Sequence, residues 1–208
     1  MTTTIILLDY LRHDYTQKVK DVNLNNAGAA FELVQIDMKG VSAAINEGIA
    51  QAKGNVVTMA NDILMPNNWL HDMLYYSELI PNSAMVGMHT VEGLPAPMEV
   101  NGLKIWETCP FGNVLITKQA IDKVGYFNLD LDPYSVNDRD YWMRCELAGF
   151  KSYYIPGSAD HLGSDVGSQT EYRKFKDESL NEKWRKGEQW LQYYKNTGNY
   201  YLGYEQIR

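Results

Sequence analysis

Apolar residues in the first part of the chain fall alternately into short unbroken runs and into helical spacing. Ile5-Ile-Leu-Leu8 is an unbroken run, the pattern of a strand covered on both faces, and it ends at Asp9-Tyr-Leu-Arg12. Thr16 to Asn25 carries Val19, Val22 and Leu24 in a polar setting and reads as a helix that Asn25-Asn-Ala-Gly28 terminates. Phe31 to Ile36 alternates as a strand does and ends at Asp37. Val41, Ala44, Ile45, Ile49 and Ala52 then share one helical face, which predicts a helix over Val41 to Lys53 with Ser42 near its start and Gly54 just past its end. Val56 to Met59 is the next strand. Pro66 is expected in the first turn of a helix that carries Trp69, Leu70, Met73 and Leu74 and stops at Pro81. The resulting order, β-α-β-α-β-α, predicts a largely parallel sheet with helices on both faces, an α/β fold.

After Pro81 the rhythm changes. Ala84 to Gly87 reads as a strand, and Glu92 to Gly102, with its Gly and Pro residues, as hairpin or loop. Gly112 to Thr117 is another strand, followed by a short helix from Lys118 to Val124 that Gly125 ends. Asp138 to Ala148 is a longer helix with Gly149 as its stop, and Tyr153-Tyr-Ile-Pro156 returns as a strand. His161 follows it, leading into Gly163-Ser-Asp-Val-Gly-Ser168, whose small residues predict a mobile loop.

Composition narrows what this alternation can serve. A chain of 208 residues that is 45% hydrophobic can bury a substantial core, as one domain over 1–169 with an arm over 170–208. Its apolar runs are too short to cross a bilayer, so a soluble, cytoplasmic protein is expected. Only Cys109 and Cys145 are present, which leaves no disulfide framework and no all-cysteine zinc site. The net charge of -7 argues against general nucleic-acid binding, which needs a basic surface. That charge is uneven, because the arm is net basic and rich in Tyr and Trp. A helical arm that packs against the domain or against a second copy as a homodimer is expected, with Trp184, Trp190, Tyr193 and Tyr194 as anchors.

Candidate chemistry gathers where strands end. Asn55-Val-Val-Thr-Met-Ala-Asn-Asp62 places a carboxylate just past the carboxyl end of a buried strand, the edge at which α/β sheets bind ligands. Asp62 is a candidate ligand for a hard divalent cation or, equally, a cap for the helix near Pro66. His161 would add an imidazole, which suits Mn2+ better than Mg2+, or serve a structural role. In Asn137-Asp-Arg-Asp140, Asp138 is a candidate general base or the N-cap of its helix. Asp140 could raise the pKa of Asp138 or pair with Arg144 one turn on. The nucleotide-binding glycine loops, the Walker lysine, His-Glu-x-x-His and Gly-x-Ser-x-Gly are all absent, which removes the usual support for dehydrogenase, ATPase, zinc-protease and serine-hydrolase readings.

Taken together, these segments resemble the family-2-like glycosyltransferases of the GT-A fold. Gly40 through Asn46, Gly48, Ala52 and Gly54 into Asn61-Asp62 is similar to the run that leads into that family's Asp-x-Asp strand. Gly112 to Phe127 is similar to the element that precedes its acidic motif, and Asn137-Asp138-Arg139-Asp140 through Arg144 to Gly149-Phe150 to the motif itself. The matches span roughly residues 5 to 165 in order.

The resemblance implies a three-layer α/β/α GT-A fold with a mixed, mostly parallel sheet, and an inverting transfer of a sugar from a nucleotide-diphosphate sugar to a hydroxyl. Residue by residue, it implies Asp138 as the base and Asp62 with His161 as metal ligands. Leu8, Asp9, Arg12, Asp37, Lys39, Asn61 and Asp62 fall where the donor is held, and Gly112, Asn113 and Asp140 where the acceptor and sugar lie. A divalent metal, Mn2+ before Mg2+, is implied as cofactor; a UDP-sugar, then a GDP-sugar, as donor; and a glycan or other hydroxyl compound as acceptor. The chain departs from the pattern at several places. Ala60 and Asn61 stand where the first two positions of Asp-x-Asp would be, Ile45 replaces an Arg, Asn137 replaces a Glu, and a strand-helix unit between Asp37 and Lys39 is missing. A catalytically inactive module that binds a sugar nucleotide or glycan is therefore the alternative. A nucleotidyltransferase on a related fold would need a glycine-rich N-terminal loop that is absent.

Overall fold

The computed structural model describes residues 2–9, 13–37, 40–89, 93–162 and 171–200. In chain order its elements are β1 (Thr3–Asp9), α1 (His13–Asn25), β2 (Glu32–Asp37), α2 (Val41–Gln51), β3 (Asn55–Ala60), β4 (Ile63–Leu64), α3 (Trp69–Leu79), β5 (Ser83–His89), β6 (Met98–Val100) and β7 (Leu103–Glu107). They continue with β8 (Val114–Ile116), α4 (Lys118–Val124), a 3-10 turn (Leu129–Leu131), α5 (Asn137–Leu147), β9 (Lys151–Ser158), β10 (Asp160–His161) and α6 (Glu171–Thr197). The expected alternation holds through α3, with the two-residue β4 inserted after β3. Arg12, Lys39 and the Gly163 to Ser168 segment lie outside the described residues.

Eight strands form one mixed sheet in the order β2-β1-β3-β8-β5-β9-β7-β6. β1 runs parallel to both β2 and β3, and β5 parallel to β9, whereas β8 is antiparallel to its two neighbours. The register sets Leu8 beside Ala60 and Asp9 beside Asp37, so three strand ends meet at one edge. β2 directly precedes α2 and forms the sheet border, which agrees with the short Asp37 to Lys39 connection.

Both faces of the sheet are covered, and the strands record it residue by residue. Ile5 and Leu7 enter a core with Val57, Met59, Leu115, Trp69, Leu70 and Met73, whereas Ile6 enters another with Val56, Ile116, Ile45, Ile49 and Tyr141. Alternate side chains of one strand point to opposite faces, so an unbroken apolar run is what two covered faces require. Each such aliphatic or aromatic side chain contributes about 1.5–3 kcal/mol on burial. The result is three layers, with α1 and α3 on one side of the sheet and α2, α4 and α5 on the other.

Two expectations about helix starts are corrected. Pro66 is not in the first turn of α3; Asn68 is the N-cap, at φ 61, and the helix begins at Trp69. The backbone amides of Leu70 and His71 both donate to the Ala27 carbonyl at 3.1 Å, a tertiary partner that fixes the start. Nor is Asp138 an N-cap, since α5 starts at Asn137 after Val136 and has no side-chain cap. The Glu92 to Gly102 region contributes β6 to a hairpin with β7 through Asn101-Gly102, both at positive φ.

Side chains join α2 to the segment between α4 and α5. Asn46 accepts from the Phe127 amide at 2.7 Å and donates to its carbonyl at 2.9 Å. Asp132 accepts from the amides of Ser42 and Ala43 at 2.7 and 3.0 Å, capping α2 from a distant part of the chain. The α6 helix lies on α5 and on the 3-10 turn, with Val136, Leu191 and Tyr194 forming a small apolar cluster between them. Cys109 and Cys145 are unbridged, and burial pushes the Cys145 thiol up to about 12.

Candidate active site

The ends of β1 and β3 carry a polar network centred on Asp9. Its Oδ1 accepts from Thr16 Oγ1 at 2.7 Å and from Asn61 Nδ2 at 3.3 Å, while Oδ2 accepts from Gln35 Nε2 at 3.0 Å. Asn61 also donates to Thr16 at 3.1 Å, so it faces inward toward Asp9. Thr16, Asn61 and Gln35 together orient this carboxylate. Leu8 is half-buried beside this cluster, and Asp37 is exposed at the end of β2, next to Asp9 in register. Thr16 and Gln35 belong to no motif, and only the fold reveals that they hold Asp9.

One turn beyond β3, Asp62 meets His161. The Asp62 Oδ2 lies 3.5 Å from His161 Nε2, with the carboxylate buried and the imidazole half-exposed. A two-stranded ladder brings them together, for β4 pairs antiparallel with β10, setting His161 beside Ile63, and the Leu162 amide donates to the Asp62 carbonyl at 2.8 Å. The turn is held from below by Asn23, which donates to the Ile63 carbonyl at 2.9 Å and accepts from the Met65 amide at 2.8 Å. Among the described residues no three His, Cys, Asp or Glu side chains form a ready-made metal site. One carboxylate and one imidazole, opening outward, nevertheless fit a hard divalent cation that takes its remaining oxygens from a bound diphosphate and water.

The loop before β8 closes over this edge. Gly112 has φ +82, a backbone angle that favours glycine, and a Cβ there would lie 2.7 Å from Ile63 Cδ1, so the loop passes close to the turn after Asp62. Asn113 is 2% exposed, and its Oδ1 accepts from the Ala60 amide at 2.8 Å. Among the described residues its Nδ2 has no partner. A buried amide donor left open costs about 1–3 kcal/mol, a cost that a ligand oxygen would relieve. Phe111, 38% exposed, is held edge-on to Tyr154, whose hydroxyl accepts from the Phe111 amide at 3.1 Å. No motif marked either aromatic residue.

Asp138 sits in the first turn of α5, half-buried, with Oδ1 accepting from the Arg139 amide at 2.8 Å. Its charge helps raise the pKa values of the Cys109 thiol and the Tyr154 hydroxyl, both pushed up chiefly by burial. Asp138 is thus within electrostatic reach of the segment that leads into Gly112 and Asn113. Asp140 departs from the expected acceptor contact. It is 1% exposed, with Oδ2 accepting from Arg144 Nε at 3.0 Å and Oδ1 from the Tyr194 hydroxyl at 2.8 Å. Its carboxylate points into the body under α6, because the alternative would leave the Arg144 guanidinium buried and unpaired.

No family model and no curated protein sequence matches this chain. Solved structures do share its architecture. A mannosyltransferase from Pyrobaculum calidifontis, in complex with GDP-Man and Mn2+, superposes with a TM-score of 0.57 at 15% identity, over 79% of this chain and 58% of that one. TarS of S. aureus gives 0.55 at 14% identity over 74% and 35%. GalNAc-T7 with UDP, GalNAc and Mn2+ gives 0.58 at 8% identity over 77% and 44%. The chain therefore spans between about a third and three fifths of the length of these neighbours. The shared architecture is the GT-A fold, here in a divergent form.

Proposed function

We propose that this protein is an inverting glycosyltransferase that moves a sugar from a nucleotide-diphosphate sugar, a UDP-sugar before a GDP-sugar, to a hydroxyl of a glycan or similar acceptor. The observation that carries the reading is the convergence at one sheet edge of the Asp62–His161 pair and the unpartnered Asn113 amide, with Asp138 in electrostatic reach of the adjoining loop. The nucleotide lies toward Asp9, Asp37 and Leu8, and the sugar toward Gly112 and Asn113. Arg12 and Lys39 are assigned to the donor on the resemblance alone. Among the described residues no helix is long and apolar enough to cross a membrane, and a cytoplasmic site of action is part of the proposal.

In the reaction an acceptor oxygen attacks the anomeric carbon as the bond from that carbon to the diphosphate oxygen breaks, which inverts the configuration. Asp138 takes the acceptor proton. The base must lie within hydrogen-bond reach of that hydroxyl, and a half-buried carboxylate at the rim of the loop can do so. Asn113 Nδ2 donates to a sugar oxygen, and Asp9, held by Thr16, Asn61 and Gln35, keeps a fixed acceptor for the nucleoside. Asp62 and His161 would hold a divalent metal, Mn2+ by the preference of imidazole, whose positive charge would offset the charge developing on the diphosphate. The nearby neutral positions Ala60 and Asn61 leave Asp62 as the only carboxylate of the reduced Asp-x-Asp.

A thermal-shift screen of nucleotide-diphosphate sugars with and without Mn2+ tests donor binding, since a ligand of the native state raises apparent stability. Donor hydrolysis by wild type, abolished in Asp138→Asn while the thermal shift survives, is the expected result. The inward-facing Asn61 favours a second reading, a GT-A module that binds a sugar nucleotide without turning it over. Binding with no turnover of any donor by wild type would establish that reading and end the first.

A further inference from the structure

Asp138 stands in the first turn of α5, and part of what holds that turn comes from elsewhere in the fold. Val136 supplies no side-chain cap, so the start of the helix depends on partners elsewhere. Asn137 finds one across the domain, donating to Ser42 Oγ at 2.7 Å. Both residues after Asp138 find theirs on α6. Arg139 Nη1 donates to Glu188 Oε1 at 3.0 Å, and its guanidinium lies over the Trp184 ring at 5.9 Å. The Tyr194 hydroxyl donates to Asp140 at 2.8 Å, and burial, with the charge of Asp140, pushes that hydroxyl's pKa far up, so it remains a donor.

The approach of α6 is built for this contact. A Cβ on Gly187 would lie 2.4 Å from Val136 Cγ2, so only glycine lets the two helices meet at the residue where α5 begins. Trp190 Nε1 donates to Asp130 at 3.3 Å and Lys186 pairs with the same carboxylate at 3.3 Å, fixing α6 to the 3-10 turn as well. Of the two ties beside Asp138, the Arg139–Glu188 pair is half-exposed and contributes little. The Tyr194–Asp140 bond is buried and has a charged acceptor, the stronger kind.

We propose that α6 is a positioning element for the base, with Tyr194 as its principal positioning residue, acting on Asp138 through Asp140. This rests on the general-base reading of Asp138. The same helix that anchors the basic, aromatic arm to the domain then also keeps the first turn of α5 from fraying at the residue that takes the proton. A base works only when held close to its productive geometry.

Tyr194→Phe removes the hydroxyl and keeps the ring, and Glu188→Gln weakens the exposed tie as the milder variant. Hydrogen exchange is read at the Asp140 amide, which donates to the Val136 carbonyl at 2.9 Å, and at the Ile121 amide in α4 as an internal reference. In Tyr194→Phe the Asp140 amide is expected to exchange about tenfold faster with Ile121 unchanged, the size of one charged hydrogen bond, and Glu188→Gln to change it less. Donor hydrolysis by Tyr194→Phe should lose kcat with KM for the donor unchanged. Equal acceleration at both amides, no change at Asp140, or an undiminished kcat in Tyr194→Phe would overturn the proposal. If wild type turns over no donor, the general-base reading fails separately, and the exchange comparison still decides whether α6 holds the turn.

Discussion

Arg144 and Asp140 form an ion pair of 3.0 Å in which neither side chain is more than 1% exposed. The guanidinium also donates to the carbonyls of Val124 and Tyr126, at 3.3 and 2.8 Å, so it ties α5 to the end of α4. Breaking one side of such a pair leaves the other charge buried and uncompensated. Arg144→Leu should lose about 3–5 kcal/mol in urea unfolding, and Arg144→Lys should also lose stability because an ammonium cannot reproduce the planar fork. A loss under 1 kcal/mol for Arg144→Leu, roughly what a surface pair contributes, would contradict the sealed geometry.

His161 is expected to matter through the metal and not through the fold. His161→Ala should leave the unfolding midpoint nearly unchanged while raising, by about tenfold, the Mn2+ needed for half of the donor-induced thermal shift, which corresponds to about 1.4 kcal/mol. Asp62→Asn should raise it further. An unchanged Mn2+ requirement in His161→Ala would remove the imidazole from the site.

Asp132 has a raised pKa, because burial outweighs the lowering effect of the Ser42 and Ala43 amides. A carboxyl whose pKa is higher folded than unfolded holds its proton more tightly in the folded state. Its contribution to stability is full below the unfolded value, 3.8 by its ordinary pKa, and is lost as pH rises through the folded value. Asp132→Asn removes that titration. The stability of wild type relative to Asp132→Asn should therefore fall as pH is raised from about 3.8 upward, as read from urea unfolding at a series of pH values. A difference that grows with pH would reverse the sign and the argument.

Much of the fold was legible in the chain because each residue obeyed a local rule. Ile5 to Leu8 is unbroken because both sheet faces are covered, and Val41, Ala44, Ile45 and Ile49 line one face because α2 has only one face to bury. Pro66 misled because the start of α3 is set by the Ala27 carbonyl, which no neighbour of Pro66 in sequence announces. The ladder of β4 and β10 is two residues long on each side, too short to produce a period. At the site, Asp62 and His161 were legible through resemblance and do come together. The Arg144 partner of Asp140 was legible as spacing along one helix, whereas the burial of Asp140 was not, since it depends on α6 covering that face. Thr16 and Gln35 are ordinary polar residues until strand register puts them against Asp9.

The pairing of β4 with β10 also orders events in time. Asp62 and His161 are separated by almost half the chain, so during synthesis the carboxylate emerges long before the imidazole that faces it. Strands β1, β2 and β3 can associate from early segments alone, whereas β10 waits for β9, and α6 follows both. A nascent chain thus presents Asp62 before the imidazole that faces it in the fold has been made. The Asp62–His161 contact forms only when β10 docks beside Ile63.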